Sequence, residues 1–118
     1  MSNVALSLTK SAAAGQAFTN FRKAITGDQT FEFTPERLES CMLIITNTQN
    51  AARTFTVKKG NGSASGIGDK TIVCARGDGT AQIGVLSGLD SARFVNASGK
   101  VEVSIPATTT GFIQVCQL

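Results

Sequence analysis

Few residues in this chain are able to do chemistry, and their spacing narrows what that chemistry could be. Three cysteines, Cys41, Cys74 and Cys116, lie 33 and 42 residues apart, with no Cys-x-x-C pair and no histidine anywhere in the sequence. Ser-His-Asp and Cys-His catalysis are therefore excluded, as are histidine-containing zinc sites. Each cysteine sits in an apolar stretch: Cys41-Met42-Leu43-Ile44-Ile45, Ile72-Val73-Cys74-Ala75 and Ile113-Gln114-Val115-Cys116. A thiol among aliphatic neighbours packs as a small hydrophobe and has no base to activate it. An odd count also argues against a secreted disulfide framework and for synthesis in a reducing cytoplasm. The eight acids, Asp28, Glu32, Glu36, Glu39, Asp69, Asp78, Asp90 and Glu102, fall mostly in turns or on polar strand faces. Without Trp or Tyr beside them, none can be nominated as a glycosidase pair. The expectation is a protein that is not an enzyme and needs no cofactor or metal.

The glycine-rich stretch Gly60-Asn61-Gly62-Ser63-Ala64-Ser65-Gly66-Ile67-Gly68 invites a phosphate-binding reading. It fails on detail. Ser65 stands where a dinucleotide fingerprint wants glycine, and no helix pattern follows. In Gly68-Asp69-Lys70-Thr71, Asp69 separates glycine from lysine, so this is no P-loop. The stretch predicts a flexible loop of unusual length, a contact element carrying Asn61 and Ser63 that orders on binding. Arg76-Gly77-Asp78 spells an adhesion tripeptide, but Asp78-Gly79 already accounts for it as a tight turn. Asn61-Gly62-Ser63 and Asn96-Ala97-Ser98 fit the glycosylation pattern, which matters only in a secretory lumen.

Eleven basic against eight acidic residues give a net charge of +3. The basic residues are scattered, with only Arg22-Lys23 and Lys58-Lys59 adjacent, whereas a nucleic-acid binder concentrates them in a patch. No nucleic-acid partner is expected, and the mild excess would favour an acidic protein surface. Residues 1–9 lack the basic start of a signal peptide, and the longest aliphatic run, Met42 to Ile45, is far short of a membrane span. No membrane partner is expected either.

The elements that would position these residues are strands. Val4, Leu6 and Leu8 alternate with polar or small residues, as do Phe31 and Phe33, Phe55 and Val57, and Val101, Val103 and Ile105. Period-two patterning gives each strand one face for a core and one for water. Cys41–Ile45, Thr71–Ala75 and Phe112–Cys116 are more continuously apolar and read as central strands, while Ile83–Leu86 and Ala92–Val95 read as shorter ones. Gly77, Gly79, Gly99 and Gly111 punctuate the second half at the intervals of a sandwich. One short helix is expected, capped by Thr34 with Pro35 in its first turn; residues 10–30, with Ala12-Ala13-Ala14, are the least defined. The fold class is all-β: a single domain over residues 1–118, an antiparallel β-sandwich or jelly-roll-like barrel of about eight strands with at most one short helix. At this mass a folded chain exposes roughly 6,000 Å² against about 18,000 Å² unfolded, enough burial for one self-supporting core.

The order of these segments resembles a known pattern. Ile44-Ile45-x-Asn47 leads to Ala52-x-Thr54-Phe55-Thr56-Val57-Lys58-x-Gly60, then Gly68-Asp69-x-Thr71, Ile83-Gly84-Val85-Leu86, Ser91-Ala92-Arg93-Phe94, Gly99-Lys100-Val101-Glu102-Val103 and Gly111-Phe112-Ile113-Gln114-Val115. Over residues 42–118 this resembles small virion proteins of tailed bacteriophages, particularly jelly-roll-like capsid decoration (cement) proteins. The resemblance implies a structural protein that clamps the outside of an assembled capsid, with the major capsid protein or another virion protein as partner. It also implies a homotrimer, and a location on the virion surface after synthesis in the host cytoplasm. A head–tail joining, tail or fibre component is the alternative within that class; a carbohydrate-binding sandwich is the alternative outside it, disfavoured by the missing Trp and Tyr.

Two contact elements follow as expectations. Residues 1–10, through Val4, Leu6 and Leu8, form either a docking arm that adds a strand to a partner's sheet or the first strand of the chain's own sandwich. The second element is the loop from Gly60 to Gly68. Near it in the chain's logic, Phe94 is expected to plug the core, leaving Arg93 to face outward or pair with Asp90.

Overall fold

The structure, a computed structural model, describes residues 4–6, 8–10, 23–26, 29–74 and 82–117. Among these, ten strands form two sheets. The first sheet runs β1 (Val4–Ala5), β4 (Gln29–Phe33), β9 (Val101–Ile105), β6 (Arg53–Val57), β7 (Lys70–Cys74). The second runs β2 (Leu8–Lys10), β10 (Gly111–Gln117), β5 (Cys41–Asn47), β8 (Gln82–Ser87), with β3 (Lys23–Ile25) also paired to β10. The chain is thus an all-β sandwich, as the alternation requires.

The period-two residues meet where they should. Phe31 and Phe33, Phe55 and Val57, and Val101, Val103 and Ile105 bury from one sheet against Leu43, Ile45, Ile113 and Val115 from the other. All are at most 2 % exposed. Alternate residues such as Glu32, Thr54, Thr56, Glu102 and Ser104 stay on the outer side at least partly in water. The total accessible surface is 6236 Å², close to the scaling expectation, so one shared core accounts for the burial.

Pairing is antiparallel except at the start of the chain. β1 runs parallel to β4, with Val4 opposite Phe31, and β2 runs parallel to β10, with Leu8 opposite Val115. Between them the chain passes from one sheet to the other, and Leu6, 8 % exposed, joins the core at the crossing. At the opposite margin of the sandwich, β7 and β8 approach each other. There Gly84 packs closely: a Cβ on it would lie 2.6 Å from the Cys74 Sγ and 3.1 Å from an Ile72 methyl, so those side chains would have to shift.

Four expectations change. The strand read over Thr71–Ala75 as central is β7, which among the described residues ends its sheet and leaves Val73 exposed. Ala92–Val95 is not a strand; Ser91–Phe94 is a one-turn α-helix, α1. Its N-cap is Asp90, whose Oδ1 accepts from the Ala92 N–H at 2.9 Å. The helix places Phe94 in the core at 3 % exposure, as anticipated, but by a turn instead of an extended segment. The helix expected after Thr34 is also absent: a 3-10 turn at Leu38–Ser40 follows an extended Arg37, with no side-chain cap. Arg37 instead stands in the extended region, φ −149° and ψ 99°, where the Gln117 side chain accepts from its N–H and from that of Glu36. Finally, the Gly60–Gly68 stretch carries a 3-10 turn at Ser65–Ile67 and lies packed on α1. The Ala12–Ala14 stretch and the Arg76-Gly77-Asp78 turn fall outside the described residues.

Candidate functional site

The glycine loop and α1 form one unit. A single helical turn leaves most of its carbonyls without intrahelical partners. The loop supplies them: Gly60 N–H donates to Arg93 O at 2.7 Å, Asn61 N–H to Val95 O at 3.0 Å and Ala64 N–H to Ala92 O at 3.0 Å. So close an approach of two backbones excludes side chains. A Cβ on Gly60 would sit 2.0 Å from Val95 O, and one on Gly62 would sit 2.3 Å from Ala92 O. These two glycines serve packing, and the phosphate-cradle reading has no counterpart here.

Arg93 fastens the far end of the loop. Its Nε donates to Gly68 O and its Nη2 to Asp69 O, both at 2.8 Å, and its guanidinium stands 4.7 Å from the Phe94 ring centroid. Asp69 in turn accepts from the Lys59 N–H at 2.7 Å. The expected alternatives for Arg93, facing outward or pairing with Asp90, both give way to this carbonyl clamp, because Asp90 is already engaged as the helix cap.

Asn61 is exposed and its Oδ1 accepts from the Ala97 N–H at 3.1 Å; Ser63 is exposed at the tip of the loop. Beside them lies an open hollow of about 500 Å³ lined by Asn61, Gly62, Ser91, Ala92, Val95 and Asn96. The Asn96 Oδ1 accepts from Ser98 and Lys100, closing the Ser98-Gly99 turn, in which Gly99 adopts φ 76°. The Asn61 and Asn96 side-chain oxygens around the hollow are therefore committed to backbone, and the Ser91 hydroxyl to the Glu39 carboxylate. Asn61, Ser63 and Arg93 share this place, whereas Val4 and Leu6 lie across the sheet on the β4 side, and Leu8 pairs through its backbone with β10. The two predicted elements are not brought together.

Sequence reasoning missed the anchors. Glu39 Oε2 accepts from Ser91 Oγ at 2.5 Å and from Ser91 N–H at 2.8 Å, tying α1 to the turn before β5. These donors pull the Glu39 carboxyl down from 4.5 to about 2. Buried Asn47 organises the β5–β6 connection: Nδ2 donates to Ala51 O at 2.9 Å while Oδ1 accepts from Gln49 N–H at 3.0 Å. No local motif marks either tie; only asparagine's preference for turns hinted at the second.

The cysteines are buried and unpaired, as expected. Burial pushes the Cys41 thiol up to about 11 and raises Cys74 and Cys116 as well. Such thiols are poor nucleophiles. Among the described residues no group of three or more Cys, Asp or Glu gathers to hold a metal, and no helix is long and apolar enough to cross a membrane. No protein-family model matches the chain, and no curated protein or solved structure matches it.

Proposed function

We propose that this chain is a structural virion protein that binds and stabilises the outside of a bacteriophage capsid. The reading starts from the resemblance over residues 42–118, and the major capsid protein is its partner. One structural observation supports it above the rest. The long loop and both described ends of the chain are hydrogen-bonded into the sandwich, while apolar side chains stand exposed at Ile67, Val73, Ile83 and Val85. A stiff block with adhesive margins suits a part that works by attachment. Preferential binding to the assembled lattice stabilises it by mass action, and repetition over a symmetric shell lets each contact be modest. The trimer on a local three-fold axis belongs to the same proposal.

The test is to add purified protein to heads of the encoding phage assembled without it. Expected results are saturable labelling over the facets and a higher melting temperature of the heads. Label confined to one vertex or to the tail would reassign the protein to a joining or tail position. Absence of any head binding together with hits on a glycan array would move it to the carbohydrate-binding class.

A further inference from the structure

Asn61 is the only asparagine in the chain that precedes a glycine. It is exposed, and with Gly62 it lines the open hollow beside α1, which admits water to both. An asparagine side-chain amide and the next backbone nitrogen can close an imide ring by rotation alone. Glycine leaves that nitrogen unhindered. Whether the ring closes in a folded chain depends on what holds the reacting atoms. The Thr48 N–H after Asn47 donates to Thr110 O at 3.1 Å, and the Ala97 N–H after Asn96 donates to Asn61 Oδ1 at 3.1 Å. The Asn47 and Asn96 amides also donate through Nδ2, to Ala51 O and to Glu102 Oε1. Exposed Asn50 precedes Ala51, whose methyl crowds the approach. At Asn61 these restraints are missing: no described residue accepts from the Gly62 N–H or from the Asn61 Nδ2.

We infer that Asn61-Gly62 is a site of spontaneous deamidation in the folded protein, with hydroxide and water as the other reactants. Hydroxide takes the Gly62 N–H proton, and the nitrogen bonds to the Asn61 Cγ. The Cγ–Nδ2 bond then breaks, and the nitrogen leaves as ammonia with a proton from water. The Ala97 N–H already stands on Asn61 Oδ1, the atom on which negative charge gathers during the addition, and so favours it. Water opens the resulting succinimide at either carbonyl. Cleavage at Cγ gives aspartate, which keeps an oxygen for the Ala97 N–H. Cleavage at the main-chain carbonyl gives isoaspartate, which routes the backbone through Cγ and inserts a methylene before Gly62. Gly62 has no slack for it: a Cβ there would lie 2.3 Å from Ala92 O, the oxygen that also accepts from the Ala64 N–H. The isoaspartyl loop therefore lifts from α1 beyond residue 61. The inference stands apart from capsid binding, since the reaction needs only the free chain and water.

Ageing the full native chain in mildly alkaline buffer tests it. The protein should release ammonia and gain the mass difference between an amide and a carboxyl. Peptide mapping should place the change at Asn61, several-fold ahead of every other asparagine, with isoaspartate among the products. Asn61→Gln, whose longer side chain closes a ring far less readily, should keep the native circular dichroism and cut the early release several-fold. In the isoaspartyl fraction, hydrogen exchange at the Ala64 amide should quicken several-fold. A chain that changes at Asn61 only once urea unfolds it, a first change at Asn50 or Asn96, or a release untouched by Asn61→Gln would each overturn the proposal. Unaltered exchange at Ala64 would overturn the lifting of the loop.

Discussion

The side-chain amide of Gln117 holds the backbone of Arg37 from both sides. Its Oε1 accepts from the Arg37 N–H and its Nε2 donates to the Arg37 carbonyl, each at 2.9 Å. The same oxygen accepts from Glu36 N–H and from the Cys41 thiol, both at 3.1 Å. A glutamine on the last strand thereby imitates a strand neighbour for a segment 80 residues earlier. It holds Arg37 extended where the sequence alone favours a helix start.

Gln117→Leu keeps the volume and removes every one of these partners. Orphaned buried polar groups cost about 1–3 kcal/mol each, and some here regain water. The expected outcome is a loss of about 2–3 kcal/mol in urea unfolding with an unchanged slope. A loss below about 0.5 kcal/mol would show that the amide only decorates an already extended segment.

The Glu39–Ser91 tie gives a pH prediction whose sign is fixed by the depressed carboxyl. Because the folded value, about 2, lies below the ordinary 4.5, the tie contributes fully above 4.5 and is lost as the pH falls toward 2. A carboxyl-resolved NMR titration should find Glu39 still ionised at pH 3. Ser91→Ala removes the largest cause, the hydroxyl donor, and should move the midpoint back up toward the ordinary range. A midpoint near 4.5 in the unsubstituted protein would mean that the contact does not persist in solution.

The alternating strands were readable because period-two burial is a local pattern: Phe31 and Phe33, or Val101 through Ile105, announce their inner face without help from the rest of the chain. Their order into two sheets was not announced, and neither were the parallel pairings of β1 and β2, because nothing in Val4–Lys10 encodes a partner direction. Ala92–Val95 misleads for a specific reason. Its composition suits a short strand, but Asp90 caps a turn there and the backbone of Gly60–Ala64 occupies the carbonyls. The loop itself reads as flexible from its small residues, yet Gly60 and Gly62 are small so that two backbones can touch. Among the candidate residues, Arg93 has as its partners the Gly68 and Asp69 carbonyls, main-chain atoms that no side-chain motif reveals.

The thiols supply a third prediction. With burial raising all three, and Cys41 to about 11, the folded protein should resist alkylation at pH 8. Mass spectrometry after iodoacetamide treatment should show no adducts until denaturant is added, then three. Rapid labelling of one site in the native protein would reveal local opening around that strand.

Removing residues 2–9 decides what the start of the chain does. β1 covers the edge of β4, and Leu6 donates its N–H to Glu32 O at 2.8 Å while filling the core. The shortened chain should lose its cooperative thermal transition or melt at a much lower temperature. A shortened chain that melts normally but no longer binds phage heads would make this segment an arm that serves a partner.

The glycines of the loop allow one comparison in which opposite outcomes come from the same substitution. In Gly60→Ala the new methyl would lie 2.0 Å from Val95 O, and in Gly62→Ala 2.3 Å from Ala92 O. Backbone stands in the way at both positions, so the loop must lift from α1 and give up hydrogen bonds. Overpacking of this kind costs about 1–3 kcal/mol. Gly66→Ala meets nothing within 4 Å and its φ is not positive, so the chief effect is a less flexible unfolded chain. It should be neutral or stabilise by about 0.4–1 kcal/mol. Urea denaturation of the three variants side by side should rank Gly66→Ala above the unsubstituted protein or level with it, and the other two well below. Equal, small effects at all three positions would mean that the loop does not rest on α1, and that its glycines provide only freedom.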